Sequence, residues 1–360
     1  MLKCRVVRDF GLLGEISDRW DSLVARSEFN DVFATYAFAK AWWHAYGKGK
    51  NLHLMLVEDD SGVRLVAPFY SVASDHNILR LIGDPRGDYN NLVFARGDRA
   101  AIETLFSWMR RQSFWETARL RNLPSESSMS SYFQYVCGSD PGQPQKFRSW
   151  MNVREFLVYR YWQDDHPNIS RARLVELGDL LTGRNYRKHI NWFSGRGGLT
   201  YRCVTDVSEC MAILPFFTQM HIAEWGFRGQ KSMFLSREHV EFYSQLIQHL
   251  CPDRSIRFDV LKLGEQIIAA HFGFTWAGRV YYYKTCFSPE YASRSPGKLL
   301  FGFIANDALA NGAEELDLLK GAEEYKAKYA SGVRRTASLQ IYRTRRTAML
   351  ERFGLRQQSV

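Results

Sequence analysis

Residues 295–329 read SPGKLLFGFIANDALANGAEELDLLKGAEEYKAKY, and this stretch decides the fold. It opens with the turn Ser295-Pro296-Gly297-Lys298. The apolar run Leu299–Ala310 that follows predicts a helix, and Asn311-Gly312 is a typical signal for the end of one. We therefore expect a helix that begins directly after a glycine-containing turn.

The residues after this helix predict a short strand and a second helix. Glu315–Leu319 has the alternation of a strand, and Lys320-Gly321 ends it. A short basic helix is then expected around Tyr325, Lys326 and Lys328. The order helix, strand, helix places the turn at the edge of an α/β arrangement.

The turn is also a candidate anion site. A glycine turn that leads into a helix presents free backbone N–H groups and the positive end of the helix dipole. Lys298 lies in the first helical turn, where a cation is unfavourable unless an anion is bound. The alternative explanation is an ordinary helix start with Pro296 at its first position.

Three strands precede the turn and complete a recognisable order. Ser255–Leu263 and Gln266–Trp276 predict a hairpin, and Arg279–Cys286 follows it across a second glycine turn. The series is therefore strand, strand, strand, turn, helix, strand, helix, strand. Residues that fit one family at the matching places are Asp259, Gly264, Ala269, Ala270, Tyr281, Tyr282, Tyr283, Phe287, Pro289, Glu290, Ser295, Pro296, Gly297, Gly312, Asp317, Gly321, Tyr325 and Lys326.

This order resembles the C-terminal half of a GNAT acyltransferase domain. More narrowly, it resembles the CelD/BcsL-type, BioF2-like acetyltransferase family, which is related to the FemABX peptidyltransferases. The resemblance extends over residues 184–329 and, more weakly, over Phe33–Tyr70. It implies an α/β (α+β) tandem GNAT-like fold of two similar mixed-sheet halves flanked by helices.

The first half of the chain supports the idea of two similar halves. Residues 52–71 and 256–275 share a plan of alternating strand, polar glycine turn, and strand. We predict a degenerate GNAT-like half at residues 1–160 and a GNAT half at residues 161–346, with a tail at 347–360. The first half has no good counterpart of the Ser295–Lys298 turn, so one donor site is expected.

Composition and net charge indicate which kinds of molecule the protein is suited to bind. The chain has 360 residues, a hydrophobic fraction of 46% and a net charge of +10, so it can bury a core and favours anionic partners. Candidates are a CoA pyrophosphate, a nucleotide-linked sugar, RNA, or an anionic membrane face. The basic residues concentrate at Arg184–Arg196 and beyond Arg334.

The sequence also favours some compartments and chemistries over others. It opens with Met1-Leu2-Lys3-Cys4-Arg5, contains no apolar run of secretory or membrane-spanning length, and is expected to be soluble and cytoplasmic. Six cysteines without CxxC spacing and nine histidines without HExxH spacing give no metal-ligand pattern, so we expect no metal. No nucleophile elbow or Walker glycine pattern occurs either.

The resemblance implies direct acyl transfer from a thioester to an amine, and assigns the donor residues. Ser295, Pro296, Gly297 and Lys298 would hold the pyrophosphate of acetyl-CoA or another acyl-CoA, with Tyr325 and Lys326 as further donor contacts. The turn departs from the usual GNAT pattern because it contains one glycine only.

Direct attack needs a group that takes the amine proton, and four candidates lie near the expected cleft. Glu224 and His221 are three residues apart and share one helix face. His271 lies within an apolar strand, where a satisfied core histidine is the alternative, and Asp317 lies on the strand after the donor helix. Tyr283, like Tyr325, could protonate the leaving thiolate, with core packing as its alternative role.

We therefore expect an N-acyltransferase that moves an acyl group to an amine, a small molecule or a glycan precursor of the cell envelope. One alternative is a FemX-like aminoacyl-tRNA-dependent peptidyltransferase, in which Arg184–Arg196 would grip RNA. FemX-like enzymes usually carry a helical coiled-coil insertion, which this sequence lacks. Apart from this alternative, we expect no nucleic-acid partner. Another alternative is a degenerate GNAT module that binds without catalysis.

Overall fold

The computed structural model describes residues 1–74, 77–125, 148–153, 156–321 and 323–352. It divides the chain into two structural units. Unit 1 consists of Met1–Asp165 with Arg334–Val360, and unit 2 consists of His166–Val333. The first boundary lies close to the one expected at 160, whereas residues 334–346, expected in the second half, belong with unit 1.

Unit 1 begins with a strand, two helices and a hairpin, and the hairpin lies where the pattern of residues 52–71 predicts it. Thr35 caps its second helix by accepting the N–H of Phe38 at 3.2 Å. The elements up to the unit boundary are β1 (Lys3–Val7), α1 (Ser17–Arg26), α2 (Tyr36–Tyr46), β2 (Lys50–Asp59), β3 (Gly62–Val72), β4 (Ile78–Leu81), β5 (Val93–Phe94), α3 (Arg99–Arg110), β6 (Thr117–Pro124), β7 (Arg148–Val153) and β8 (Phe156–Ser170).

Unit 2 contains the remaining elements up to the last strand. They are α4 (Arg171–Leu177), α5 (Arg184–Ser194), β9 (Leu199–Val204), α6 (Val207–Phe227), α7 (Arg237–Leu250), β10 (Ile256–Leu263), β11 (Gln266–Trp276), β12 (Arg279–Phe287), α8 (Pro296–Ala310), β13 (Glu315–Asp317) and α9 (Glu324–Tyr329). The chain then enters β14 (Gly332–Tyr342) and α10 (Arg345–Arg352). Residues 347–352, predicted as part of a tail, are therefore helical, and 353–360 lie outside the described residues.

The sheet of unit 1 has the order β1-β2-β3-β4-β6-β14, with β5 on β3. β4 and β6 run parallel, and the β2–β3 hairpin is antiparallel over its whole length. Helix α3 packs its buried face, which includes Ile102, Leu105 and Met109, into the same apolar cluster as Trp115. This unit thus has its own core, as an independent half requires.

The sheet of unit 2 has the order β8-β13-β12-β11-β10-β9, in which only the β12–β13 pair is parallel. Helix α8 covers one face, where Leu299, Phe301 and Ile304 join a buried cluster with Tyr282. Helices α6 and α7 supply the other face, where Phe217 packs on Phe258 with ring centroids 5.3 Å apart. The mixed sheet flanked by helices confirms the predicted α/β class.

One local expectation was wrong. The strand expected at Glu315–Leu319 ends at Asp317, since Leu319 adopts a left-handed conformation with φ of 56°. In addition, β8 continues through the polar run at residues 164–168 to Ser170, because Asn168 and Ile169 pair with Asp317 and Leu316 of β13. The length of β8 thus depends on partners about 150 residues away in sequence.

Candidate functional site

The two parallel strands at the centre of unit 2 separate after three residues. β12 pairs with β13 from Arg279 to Tyr281, opposite Glu315 to Asp317, and then continues alone on that side to Phe287. The C-terminal half of β12 therefore has no strand partner on the β13 side within the described residues. A cleft at the carboxyl ends of parallel strands is where α/β proteins commonly bind ligands.

A β-bulge lies at the point of separation. Phe274 of β11 faces Tyr281 and Phe272 faces Lys284, so Tyr282 and Tyr283 together oppose the single residue Gly273. A bulge of this kind bends the strand and leaves its extra residue outside the regular ladder. A side chain cannot replace the hydrogen at Gly273, because a Cβ atom there would overlap the His271 ring and the Tyr281 carbonyl oxygen.

His271 is buried beneath this bulge and both of its ring nitrogens are engaged. Its Nδ1 lies 2.7 Å from Oδ2 of Asp259, and its Nε2 accepts the backbone N–H of Tyr283 at 3.1 Å. The ring is fully buried. Burial lowers the pKa of His271, so the ring is neutral, with its proton on Nδ1.

Asp259 belongs to a buried charge network that runs from this histidine to α8. Arg257 donates to both oxygens of Asp259, at 2.9 and 2.7 Å, and the same guanidinium reaches Asp307 of α8 at 2.8 Å. Burial would raise the pKa of Asp259, but Arg257 and His271 together hold it well below its usual range. Asp259 and Asp307 also lie near Cys203 in a grouping that could hold a metal, but Arg257 occupies the space between the two carboxylates.

The turn that feeds α8 has the form that an anion site needs. Ser295 has a left-handed backbone, with φ of 53° and ψ of 50°, and no described side chain caps the helix. The first N–H groups of α8 are therefore available to a ligand. Gly297 lies so close to Phe287 that a Cβ atom would sit 3.3 Å from its ring. The helix start thus packs directly on the end of β12.

Lys298 extends from this turn into a cavity of about 290 Å³. Its ammonium lies 4.9 Å from the centre of the Tyr186 ring. Arg184, at the start of α5, and Lys328 of α9 line the same cavity, and Asp179 is its acidic member. In the described part of the chain none of the three cations forms an ion pair. The cavity is therefore a cationic recess beside the Ser295–Lys298 turn.

Glu224 connects α6 to the end of β12. Its side chain is buried, Oε2 accepts the backbone N–H of Phe287 at 3.0 Å, and Oε1 pairs with Arg228. Burial raises the pKa of Glu224, and the bonds from Phe287 and Arg228 offset this only in part. A carboxylate with a raised pKa next to the open half of β12 is suited to accept a proton.

His221 lies one helical turn before Glu224 on the same buried face. Its Nδ1 is 2.8 Å from the Ser232 hydroxyl, and its ring stacks on Trp225 with centroids 5.3 Å apart. Burial, with Lys284 nearby, lowers the pKa of His221 to about 4. The imidazole is therefore neutral at pH 7.

Three of the predicted residues have structural partners of their own. Asp317 is fully buried and accepts the N–H of Leu319 at 2.8 Å. The Lys326 ammonium is buried, donates to the carbonyl of Lys320 at 2.8 Å and pairs with Glu323. Tyr283 stacks between Tyr243 and Phe274 while its N–H binds His271.

The structure brings Glu224, the end of β12 and the donor turn together through Phe287, whose N–H binds Glu224 and whose ring contacts Gly297. Tyr325 lies apart from this point, against Phe301 at 5.7 Å. The sequence named Phe287 only as a residue that fits the family, and it did not single out Tyr186 or the placement of Arg184 at the cavity. The basic run at Arg184–Arg196 was the one signal that could have indicated the last.

Comparison with known proteins agrees with this geometry. Residues 182–327 match the family model described as an acetyltransferase (GNAT) domain. This confirms the predicted GNAT resemblance of the second half and identifies the protein as an enzyme of the acyltransferase class. The model covers less than half of the chain. No curated protein matches the sequence.

Solved structures with similar folds extend over nearly the whole chain. FemX has a TM-score of 0.61 at 10% identity, covering 93% of this chain and 97% of its own. The C-terminal domain of a protein assigned as a lysylphosphatidylglycerol synthetase in Agrobacterium fabrum has a TM-score of 0.55 at 13% identity, covering 96% and 98%. L-PGS from Bacillus licheniformis has 0.52 at 11%, covering 89% and 95%. At these identities the likeness concerns the fold alone.

Helix length and apolarity bear on membrane insertion. Among the described residues, no helix is both long and apolar enough to cross a bilayer.

Proposed function

We propose that the protein is an N-acyltransferase that moves an acyl group, acetyl in the simplest case, from acyl-CoA to an amine. The observation that carries the proposal is the separation of β12 from β13 at a bulge, together with the uncapped start of α8, which follows β12 after the short 3₁₀ helix Pro289–Arg294. Together they provide a slot along a strand and an anion site at its end. A thioester joined to a phosphorylated carrier needs both.

The donor side follows from charge. The pyrophosphate would bind the N–H groups of Gly297 and Lys298 in the first turn of α8, where the helix dipole is positive. Pro296 has no N–H, and the N–H of Ser295 donates to the Ala292 carbonyl at 3.1 Å. Arg184, Lys298 and Lys328 would hold further phosphate in the adjoining cavity. The predicted donor contact Lys326 would act indirectly, by bracing the loop at Lys320.

The reaction requires one proton acceptor and one proton donor. The amine nitrogen attacks the thioester carbon, the carbon–sulfur bond breaks, and the sulfur leaves as a thiol after it gains a proton. Glu224 is the proton acceptor with the best combination of position and raised pKa. A backbone N–H of β12 at the bulge, other than that of Tyr283, which binds His271, would polarise the carbonyl, and Tyr283 or Tyr325 would protonate the sulfur.

The acceptor side rests on the narrower family resemblance. A BioF2-like, CelD/BcsL-type enzyme would acylate an amine of a cell-envelope or polysaccharide precursor, for example an amino sugar. The net charge of +10 suits an anionic or nucleotide-linked precursor and an anionic membrane face at which such precursors are handled.

Release of free thiol from acetyl-CoA tests the proposal, with amino sugars and their nucleotide-linked forms supplied as acceptors. We expect amine-dependent release, and a fall in kcat of about 100-fold in Glu224→Gln, because the amide keeps an acceptor for Phe287 but no base. Ser208→Ala, an exposed position on the same helix, is the control. Absence of release with every amine, or equal rates for Glu224→Gln, would contradict the proposal.

A second candidate is an aminoacyl-tRNA-dependent peptidyltransferase. It is favoured by the similarity to FemX along 93% of the chain, whereas the GNAT model matches residues 182–327 only. The exposed basic residues Arg184, Arg187 and Lys188 of α5 would then contact RNA. Retention of charged tRNA in a gel shift that weakens steeply with salt, without acetyl-CoA binding, would favour this candidate.

A further inference from the structure

The bulge of β12 has an unusual hydrogen-bond acceptor. In a regular ladder the N–H of Tyr283 would bond to a carbonyl of β11, but the two-against-one register at Gly273 removes that partner. The imidazole of His271 takes its place at 3.1 Å. A buried N–H without an acceptor is costly, so this bond decides whether the bulge keeps its shape.

The histidine can fill this role in one tautomer only. Nε2 must be unprotonated to accept the Tyr283 N–H, so the ring proton must be on Nδ1. Asp259 lies 2.7 Å from Nδ1 and accepts that proton's hydrogen bond. Arg257 in turn binds both oxygens of Asp259, which keeps the carboxylate charged and in place.

The outer end of this network is on the donor helix. Arg257 also binds Asp307 of α8, which lies roughly 14 Å along the helix axis from Lys298 at 1.5 Å per residue. One continuous set of hydrogen bonds thus joins the bulge to the helix whose first turn would bind the phosphates of acyl-CoA. Buried ion pairs of this kind add little net stability compared with apolar packing, and their attested advantage is a fixed geometry.

We propose that His271 is a positioning residue for acyl transfer. It fixes the β12 bulge through Tyr283, and it holds the bulge in position relative to α8 through Asp259, Arg257 and Asp307. This inference rests on the proposed function, because the bulge matters only if a thioester carbonyl binds there. His271 itself exchanges no proton with substrate, since both of its nitrogens are occupied. This positioning role replaces the role in catalysis that the sequence suggested for His271 as one of two alternatives.

Two amide variants separate the two nitrogens. In His271→Gln the amide oxygen reaches the position of Nε2 and can accept the Tyr283 N–H. In His271→Asn the shorter amide reaches only the Nδ1 position, and the Tyr283 N–H loses the bond that it makes to Nε2. We expect kcat to fall about 100-fold in His271→Asn with an unchanged KM for acetyl-CoA, and to stay within about threefold in His271→Gln.

Measurements on the wild-type protein keep the test independent of turnover and of variant folding. Selective nitrogen-15 labelling of the full chain should show a slowly exchanging Tyr283 amide and a neutral His271 with its proton on Nδ1. Fast exchange of that amide, or a charged or Nε2-protonated ring at pH 7, would overturn the inference. Equal kcat losses in both variants would also overturn it, because the acceptor at Nε2 would then not matter.

The failure of the proposed function has a different signature. If the wild-type protein neither binds nor turns over acyl-CoA, the function is wrong, and the amide exchange of Tyr283 still shows whether the histidine holds the bulge. If acyl-CoA is turned over and His271→Asn is as fast as the wild type, the function stands and the positioning role falls.

Discussion

Replacement of Arg257 by methionine should destabilise unit 2 far more than any exposed arginine replacement. The Arg257 guanidinium is 3% exposed and holds the buried Asp259 and the partly exposed Asp307 at 2.7–2.9 Å. Removal of the cation leaves a carboxylate inside the protein without a counter-charge. Breaking a buried pair in this way costs about 3–5 kcal/mol.

Arg202 offers a matched control. It forms an ion pair with Glu209 at the same distance, 2.9 Å, but its side chain is 56% exposed. An exposed pair contributes about 0–1 kcal/mol, so Arg202→Met should be nearly neutral. The difference between the two variants reports the buried network, because both remove an arginine that binds a carboxylate at a similar distance, but Arg257 is buried and holds two carboxylates.

Thermal and urea unfolding of both variants measure the difference. For a domain of 150–250 residues, a loss of 3–5 kcal/mol corresponds to a fall in Tm of roughly 6–20 °C. Arg202→Met should stay within roughly 4 °C of the wild type. Equal shifts for the two variants would refute the assignment of a charge network that depends on Arg257.

Three further predictions follow from the site. Lys328→Ala should raise the KM for acetyl-CoA about fivefold, near 1 kcal/mol, whereas Lys262→Ala, outside the cavity, should not; steady-state kinetics compare them. Gly273→Ala should lower the free energy of unfolding by about 1–3 kcal/mol in urea titrations, since its methyl would overlap the His271 ring. His221 has a pKa lowered to about 4, against 6.5 when unfolded, so stability is complete above pH 6.5 and falls towards pH 4 as the unfolded chain alone takes up the proton. This proton uptake lowers the free energy of unfolding by about 3 kcal/mol at pH 4. Urea unfolding of His221→Gln at pH 7 and pH 4.5 should lack this contribution, and a pH dependence equal to that of the wild type would exclude it.

Local signals in the sequence were sufficient to predict helix α8 after Ser295. The helix starts at Pro296, three residues before the predicted Leu299, with proline at its first position. The end at Ala310 agrees with the prediction, because Asn311 and Gly312 act on their own neighbours in the chain. The hairpins agree for the same reason. The register of β8 against β13 was missed, since Asn168 and Asp317 meet only after the chain has folded.

The chemical roles of the site residues could be assigned only from the three-dimensional structure. The cations of the cavity come from the starts of α5 and α8 and from α9. Arg184 and Lys328, the outermost two, are 144 positions apart in the sequence. Lys326 carries the same charge as Lys328 in the sequence, yet its ammonium is buried against the Lys320 carbonyl. The two-against-one register at Gly273 likewise leaves no pattern that distinguishes it from a regular strand.

Titration of acetyl-CoA into the full chain by isothermal calorimetry, at two salt concentrations, shows whether acyl-CoA binds at the start of α8. Wild-type protein should bind one equivalent, more weakly at high salt, and Lys298→Glu should lose binding because it places a negative charge at the start of α8. Binding that is absent from the wild type, or equal in the two proteins, would contradict the assignment of this turn as the acyl-CoA site.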